Sequence, residues 1–185
     1  PNDLDLIIFV DLNDYERAGS EIEKYIINFK NNILVIDLHQ NPKINSTNSL
    51  IDTSCSATAI LIFKIIDHMQ ISINKLIATN LLTGIITDTS SFKNSNTNSQ
   101  SLEIASKLLD FGADLNLINS SIYNDRSIKR IDLEKKILSN FLFDNDSRTG
   151  FSYCTLEDYR KTNTTKEDSE GMANYFLHHK EIMIG

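Results

Sequence analysis

The chain opens in an apolar run, Leu4-Asp5-Leu6-Ile7-Ile8-Phe9-Val10, that stops at Asp11. After a polar turn, Glu21–Phe29 sets Ile22, Ile26 and Phe29 at helical spacing. A second short apolar run, Ile33-Leu34-Val35-Ile36, again stops at an acid, Asp37. Continuous apolar strands joined through a helix are what a parallel sheet buried on both faces requires, so these residues read as a β-α-β unit. Polar residues and Pro42 fill Gln40–Asn48, which reads as a loop. Ser56–Met69 and Asn74–Thr87 are apolar-rich and unbroken, and each suits a helix packed inside the domain. Gln100–Phe111 carries Leu102, Ala105, Leu108 and Leu109 on one side, with Gly112 as its stop. A further helix is predicted over Leu115–Tyr123, and Ser127–Leu142 is mixed, compatible with helix running into strand. Beyond Thr149-Gly150 the pattern predicts a short strand Phe151–Thr155, a helix from Glu157, a second helix over Glu167–Leu177 and a strand beginning at Glu181.

The expected fold class is α/β: a Rossmann-like three-layer domain with a mainly parallel sheet over residues 1–147, then a linker near Asn145–Gly150 and the start of a smaller α/β domain over 148–185. An apolar strand at the very start, without an initiator Met, and a strand only beginning at the end predict a piece of a longer protein. No internal repeat, glycine-rich phosphate loop or heptad is present in the sequence.

Composition narrows the function classes. The 185 residues are 41% hydrophobic, enough for one domain with a sizeable core. Lys plus Arg at 18 against Asp plus Glu at 25 gives a net charge of −7, without any Lys/Arg-rich run, which argues against grip on long duplex DNA. Apolar runs such as Ile60–Ile66 and Leu81–Ile86 fall far short of the roughly 20 residues that span a bilayer, so no membrane partner is expected. Cys55 and Cys154 form neither a disulfide framework nor a zinc site, which makes the cytoplasm the expected location. Sequons at Asn45, Asn119, Asn145 and Asn163 do not counter this in so Asn-rich a chain.

Asp11 and Asp37 stand at the carboxyl ends of consecutive predicted strands, and Asp88 follows the apolar run Leu81–Ile86. In open parallel sheets the ligand crevice lies outside those strand ends. With His39 the set offers oxygen and imidazole donors and no thiolate, a mixture suited to manganese or magnesium. The competing reading is that acids after strands cap helices or form turns.

The surrounding residues carry a resemblance. Asp11-Leu12-Asn13-Asp14-Tyr15-Glu16-Arg17-Ala18-Gly19 is an Asp at a strand end followed by a short acidic stretch and an Arg. Val35-Ile36-Asp37-Leu38-His39 follows one β-α unit later, and Asp52-Thr53-Ser54-Cys55-Ser56-Ala57-Thr58-Ala59 after it. Gly84-Ile85-Ile86-Thr87-Asp88-Thr89-Ser90-Ser91-Phe92-Lys93 runs on to Asn96-Thr97, and Thr165–Tyr175 comes last. In this order the segments resemble the motifs of the DHH phosphoesterase superfamily, and within it the bacterial oligoribonuclease/pAp phosphatase branch. The resemblance runs from end to end, with Gly84–Lys93 its strongest match to the fourth motif and Thr165–Tyr175 similar to the approach to the smaller DHHA1 substrate-binding domain.

The resemblance implies a phosphohydrolase with a two-metal, usually manganese, centre acting on short single-stranded oligonucleotides or 3′-phosphoadenosine 5′-phosphate (pAp). By motif position Asp11 would bridge both metals and Asp88 would bind the second; His39 would contact the phosphate, and Asp37 would support the imidazole or the water network. Lys93 would stand near the substrate phosphate, where relatives more often carry Arg, with Ser91 lining the substrate. Residues 1–147 would then be the DHH domain without its first motif, and 148–185 the opening of the second domain. A homodimer is left open.

The chief departure is Leu38, where the family has a metal-binding His. On an extended segment neighbours point to opposite sides, so His39 is not expected to replace it. The family's first motif and the glycine-rich histidine motif of its second domain have no counterpart in these 185 residues, so the isolated chain is expected to be inactive. A cyclic-dinucleotide or linear-dinucleotide phosphodiesterase is a close alternative; a RecJ-type exonuclease and a manganese-dependent pyrophosphatase fit less well. From a different class, a nucleotide-binding homologue with an impaired centre is the rival. His68 reads as a helix-end residue, His178-His179-Lys180 as a solvated helix end, Cys55 and Cys154 as packed residues, and Asp125-Arg126 and Lys129-Arg130 as a solvated face.

Overall fold

The computed structural model describes residues 4–12, 14–27, 29, 32–39, 48–124 and 127–184. Pro42, the sequon at Asn45 and the Asp125-Arg126 pair lie outside them. Contacts divide the chain into two compact units, residues 1–118 and 119–185; the change of sequence pattern near Asn145–Gly150 falls inside the second.

The first unit is α/β. Strand β1 (Leu6–Val10) leads through a 3-10 turn (Tyr15–Ala18) into helix α1 (Ser20–Ile27), then strand β2 (Asn32–Asp37) and strand β3 (Asn48–Ile51). All pairings are parallel, with β2 in the middle: Val10 lies opposite Ile36, and Asp37 opposite Ile51. β3 is an addition to the sequence reading. Its four residues Asn48-Ser49-Leu50-Ile51 are too few and too polar to register as an apolar run beside the expected loop.

Side chains alternate along a strand, yet Val35 and Ile36 are both buried, so both faces of β2 are covered. α1 covers one of them, where Ile26 packs with Phe9, Ile33 and Val35. β1 departs from the expectation of a strand buried on both faces. Leu6, Ile8 and Val10 on its other face are exposed.

Helix α2 (Thr58–His68) lies against β2, helix α3 (Lys75–Asp88) against α2, and helix α4 (Ser99–Asp110) against α3. Asn74 caps α3 through its bond to Ile77 N, and Asn98 forms a capping box with Ser101 at the start of α4. At Gly84 a Cβ would come within 2.9 Å of Ala59 Cβ, so the α2–α3 approach depends on a missing side chain. Helix α5 (Leu115–Asn119) follows and continues into a single π turn over Ser120–Asn124.

In the second unit, helix α6 (Lys129–Ser139) precedes a hairpin of β4 (Leu142–Asp144) and β5 (Thr149–Phe151), then helix α7 (Leu156–Thr162), a 3-10 turn (Glu167–Ser169) and helix α8 (Met172–Leu177). The strand expected over Phe151–Thr155 ends at Phe151, because its ladder partner β4 is only three residues long. The helix expected over Glu167–Leu177 is broken at Gly171, which adopts φ +82°. The final strand reduces to one bridge, Thr149 to Ile184. Leu133, Ile137, Met172 and Phe176 form the core, with Phe141 stacked on Phe176 at 4.6 Å. Arg130 belongs to this interior and not to a solvated face. Its Nε donates to Glu134 Oε1 at 2.7 Å and its guanidinium to the Glu170 carbonyl at 2.7 Å.

The Gly84 contact is testable. Gly84→Ala is expected to lower stability by about 1–3 kcal/mol, the usual cost of overpacking, read as a fall in the urea midpoint with the slope unchanged. An unchanged midpoint would show that α2 and α3 separate freely.

Candidate metal centre

The parallel register aligns the carboxyl ends of the three strands, and each is followed or closed by an acid. Asp11 N donates to the Ile36 carbonyl at 3.0 Å, and Asp52 N to the Asp37 carbonyl at 3.2 Å, so Asp11 and Asp52 flank Asp37. Asp11 turns out of the sheet with φ +57°, a left-handed conformation that Asp tolerates better than most residues. Its Oδ1 accepts from Thr58 Oγ1, at the start of α2, at 2.9 Å.

Asp37 is fully buried. Its Oδ1 accepts from Leu38 N at 2.6 Å, from His39 N at 3.1 Å and from His39 Nδ1 at 2.7 Å, while its Oδ2 is buried with no hydrogen-bond partner. His39 Nδ1 also lies 3.9 Å from Asp11 Oδ1. One donor atom each from Asp11, Asp37 and His39 falls within 4.8 Å of the others, and no second group of this kind occurs among the described residues.

A sealed carboxylate oxygen without a donor is costly, and the surrounding donors are oxygen and imidazole nitrogen. That combination fits a hard divalent cation. The Nδ1 of His39 is taken up by Asp37, and the other ring nitrogen lies outside that bond.

β2 stops at Asp37 and the chain bends at His39. Leu38 contributes its backbone N–H to Asp37, and the His39 ring folds back toward both acids.

Asp88 is the last residue of α3. Although its side chain reaches solvent, partial burial, followed by the negative charge of Asp11, pushes its carboxyl above the ordinary value; His39 pulls the other way. Asp88 therefore feels both residues electrostatically. The chain then makes a turn in which Ser90, Ser91 and Phe92 all have positive φ, at 47°, 59° and 65°. Buried Thr89 holds the turn, its hydroxyl donating to the Ile85 carbonyl at 2.7 Å and accepting from Phe92 N at 3.0 Å. Ser91 is half-buried here, and Lys93 is exposed with its N–H on the Thr89 carbonyl at 3.0 Å.

Two residues of this region escaped the sequence reading. Thr58 gave no signal beyond its place in a run of small residues. Asp52 repeats the acid-after-strand pattern, but the short β3 hid it. Its carboxylate is held well below the usual range, first by the Ser54 hydroxyl, then by Cys55 and the Ser54 backbone, with Lys64 Nζ at 3.4 Å. It serves its own turn. His68 ends α2, while His178 and His179 follow α8 and are exposed.

No family model matches the chain. Over 99 residues, 53% of the chain, it is 36% identical to the bifunctional oligoribonuclease and PAP phosphatase NrnA of Thermus thermophilus, covering 28% of that protein. A solved structure of an exopolyphosphatase-related protein from Bacteroides fragilis superposes with a TM-score of 0.91 at 29% identity, over 97% of this chain and 53% of that one. These likenesses support the resemblance to the DHH phosphoesterase superfamily. The chain is also 31% identical, over 118 residues, to an uncharacterized protein of Mycoplasma genitalium, of which it covers 35%. The chain thus spans about a third of the length of these curated relatives and about half of the solved one.

The Asp88 environment yields a pH-dependent prediction. A carboxyl that holds its proton more tightly folded than unfolded loses stability as pH rises from the ordinary value of 3.8 through the raised folded value. Asp88→Asn removes that loss. Without added metal, the variant is expected to melt above the native protein at pH 7, the gap closing as pH falls toward 3.8; equal or lower melting at pH 7 would refute the assignment.

Proposed function

We propose that this chain is part of a divalent-metal-dependent phosphoesterase that hydrolyses short oligoribonucleotides or pAp. The observation that carries the reading is the convergence of Asp11, Asp37 and His39 donor atoms, with the charges of Asp11 and His39 reaching Asp88. Similarity to an oligoribonuclease and PAP phosphatase supports the substrate class. Residues 1–147 form the phosphoesterase domain in this reading, and 148–185 open the substrate-binding domain.

Asp11, Asp37 and Asp88 offer the anionic ligands, manganese being the expected ion and magnesium the alternative. When bound, such ions lower the pKa of water and neutralise charge developing on the phosphoryl oxygens. Asp37 holds the His39 ring through Nδ1, so that the remaining nitrogen faces away from the carboxylate. Thr58 fixes one oxygen of Asp11, leaving the other for a ligand. Lys93, exposed beyond the left-handed turn, supplies a cation for a substrate phosphate, and Ser91 a hydroxyl nearby. Asp125-Arg126 is assigned no role. A cytoplasmic location belongs to the same reading, supported by two free cysteines and, among the described residues, by the lack of a helix long and apolar enough to cross a membrane.

Leu38 supports a second reading, a nucleotide-binding homologue with a weakened centre, because its side chain brings no donor to the cluster. The cyclic-dinucleotide alternative shares the same residues and differs only in substrate.

The protein at its full encoded length, supplied with manganese, is expected to release mononucleotides from short RNA or phosphate from pAp. Asp88→Ala should lower the rate roughly a hundredfold or more, as loss of several kcal/mol of charge stabilisation implies. Inactivity of the native protein, with Leu38→His raising the rate by orders of magnitude, would establish the impaired reading instead. The isolated 185-residue chain is expected to show no turnover.

A further inference from the structure

We infer that Asn96 is a positioning residue for the Asp88 carboxylate, tying the end of α3 to the segment that leads into α2. This deepens the divalent-metal reading and rests on it. The Asn96 side-chain amide donates to the Asp88 carbonyl at 3.2 Å and to the Ser56 carbonyl at 3.1 Å. One NH₂ group, with its two hydrogens, thus bridges backbone from two elements.

Each end of the bridge has a consequence. Asp88 closes α3, where terminal carbonyls lack intrahelical partners and the helix dipole is negative. A carboxylate there is repelled by its own helix, and a donor on the terminal carbonyl lessens that repulsion. At the other end, buried Ser56 stands two residues before Thr58, whose hydroxyl holds Asp11 Oδ1. Asn96 therefore closes a continuous path from the backbone of Asp88 to the side chain of Asp11. Thr89 holds the intervening turn, whose three successive non-glycine residues have positive φ, and the Asn94 amide also reaches the Asp88 carbonyl, at 3.4 Å. Asn96 carries the tie beyond the turn, to Ser56. Asn98 makes a second tie, Nδ2 to the Ser54 carbonyl at 3.1 Å, but touches neither carboxylate.

An ordinary cap would lower stability when removed and leave metal affinity alone. The test is manganese titration by calorimetry on the protein at its full encoded length, native against Asn96→Ala, with Asn98→Asp as the control. The control loses only the amide donors and keeps the oxygen that accepts from Ser101 N. Asn96→Ala is expected to weaken manganese binding by roughly 10–100-fold, the range for residues that orient metal ligands, and Asn98→Asp to stay within about twofold. Should the alanine variant not fold, Asn96→Ser, which keeps one donor, carries the same comparison. Native affinity in the folded Asn96 variant, or an equal loss in Asn98→Asp, overturns the inference alone. No manganese binding by the native protein overturns the metal reading and this inference with it.

Discussion

Asp37 is a carboxylate sealed at the end of a central strand, and an ion so placed must be met by donors or by a cation. Its Oδ1 is met three times, and every donor comes from the next two residues. That demand shapes the local chain. An extended continuation would carry the Leu38 and His39 amides past the carboxylate, so the strand stops and the backbone bends back over it. The His39 ring is delivered to Asp11 as a by-product of solvating Asp37. Oδ2, left without a donor, remains the one unmet obligation of the strand end.

The rest of the first unit distributes order unevenly around this point. Ala59 against Gly84 allows α2 and α3 to approach closely, and buried Ile60, Leu82, Ile85 and Leu108 make the three-helix layer a fixed platform. The candidate site sits where regular structure ends: at the left-handed Asp11, the bend at His39 and the turn Ser90–Phe92. Conformations of this kind cost about 1–3 kcal/mol each and persist when the surroundings over-determine them. Here the surroundings are side-chain bonds from Thr58, Thr89 and Asn96, all polar residues of the segments bordering α2 and α3.

Much of this was legible in the sequence, for identifiable reasons. β1, α1, β2 and the helices α2 to α4 carry clear apolar runs or periodicity, and Asp11, Asp37 and Asp88 follow such runs. The motif order carried the resemblance to the superfamily. What escaped was set by partners distant in sequence. β3 exists because β2 offers it a ladder, not because Asn48–Ile51 looks like a strand. Arg130 is buried because Glu134 and the Glu170 carbonyl satisfy it, a contact 40 residues away that no local charge pattern encodes. The bend at His39 also escaped, because the sequence indicates an extended segment, whereas both the His39 amide and its ring turn to Asp37.

Position 38 joins these lines of argument. Its structural duty is an N–H directed at Asp37, which every residue except proline supplies. Leucine therefore leaves the strand end, the bend and the placement of His39 intact while removing one potential donor. The consequence falls on His39. With Nδ1 committed to Asp37, its second nitrogen can accept from nothing and ligate a cation, or carry a proton and face a phosphate, but it cannot do both at once. In this chain a single ring stands against both Asp37 and Asp11. The chemistry the centre can perform is thus governed less by whether the fold is kept than by which of the two tasks the one remaining imidazole performs.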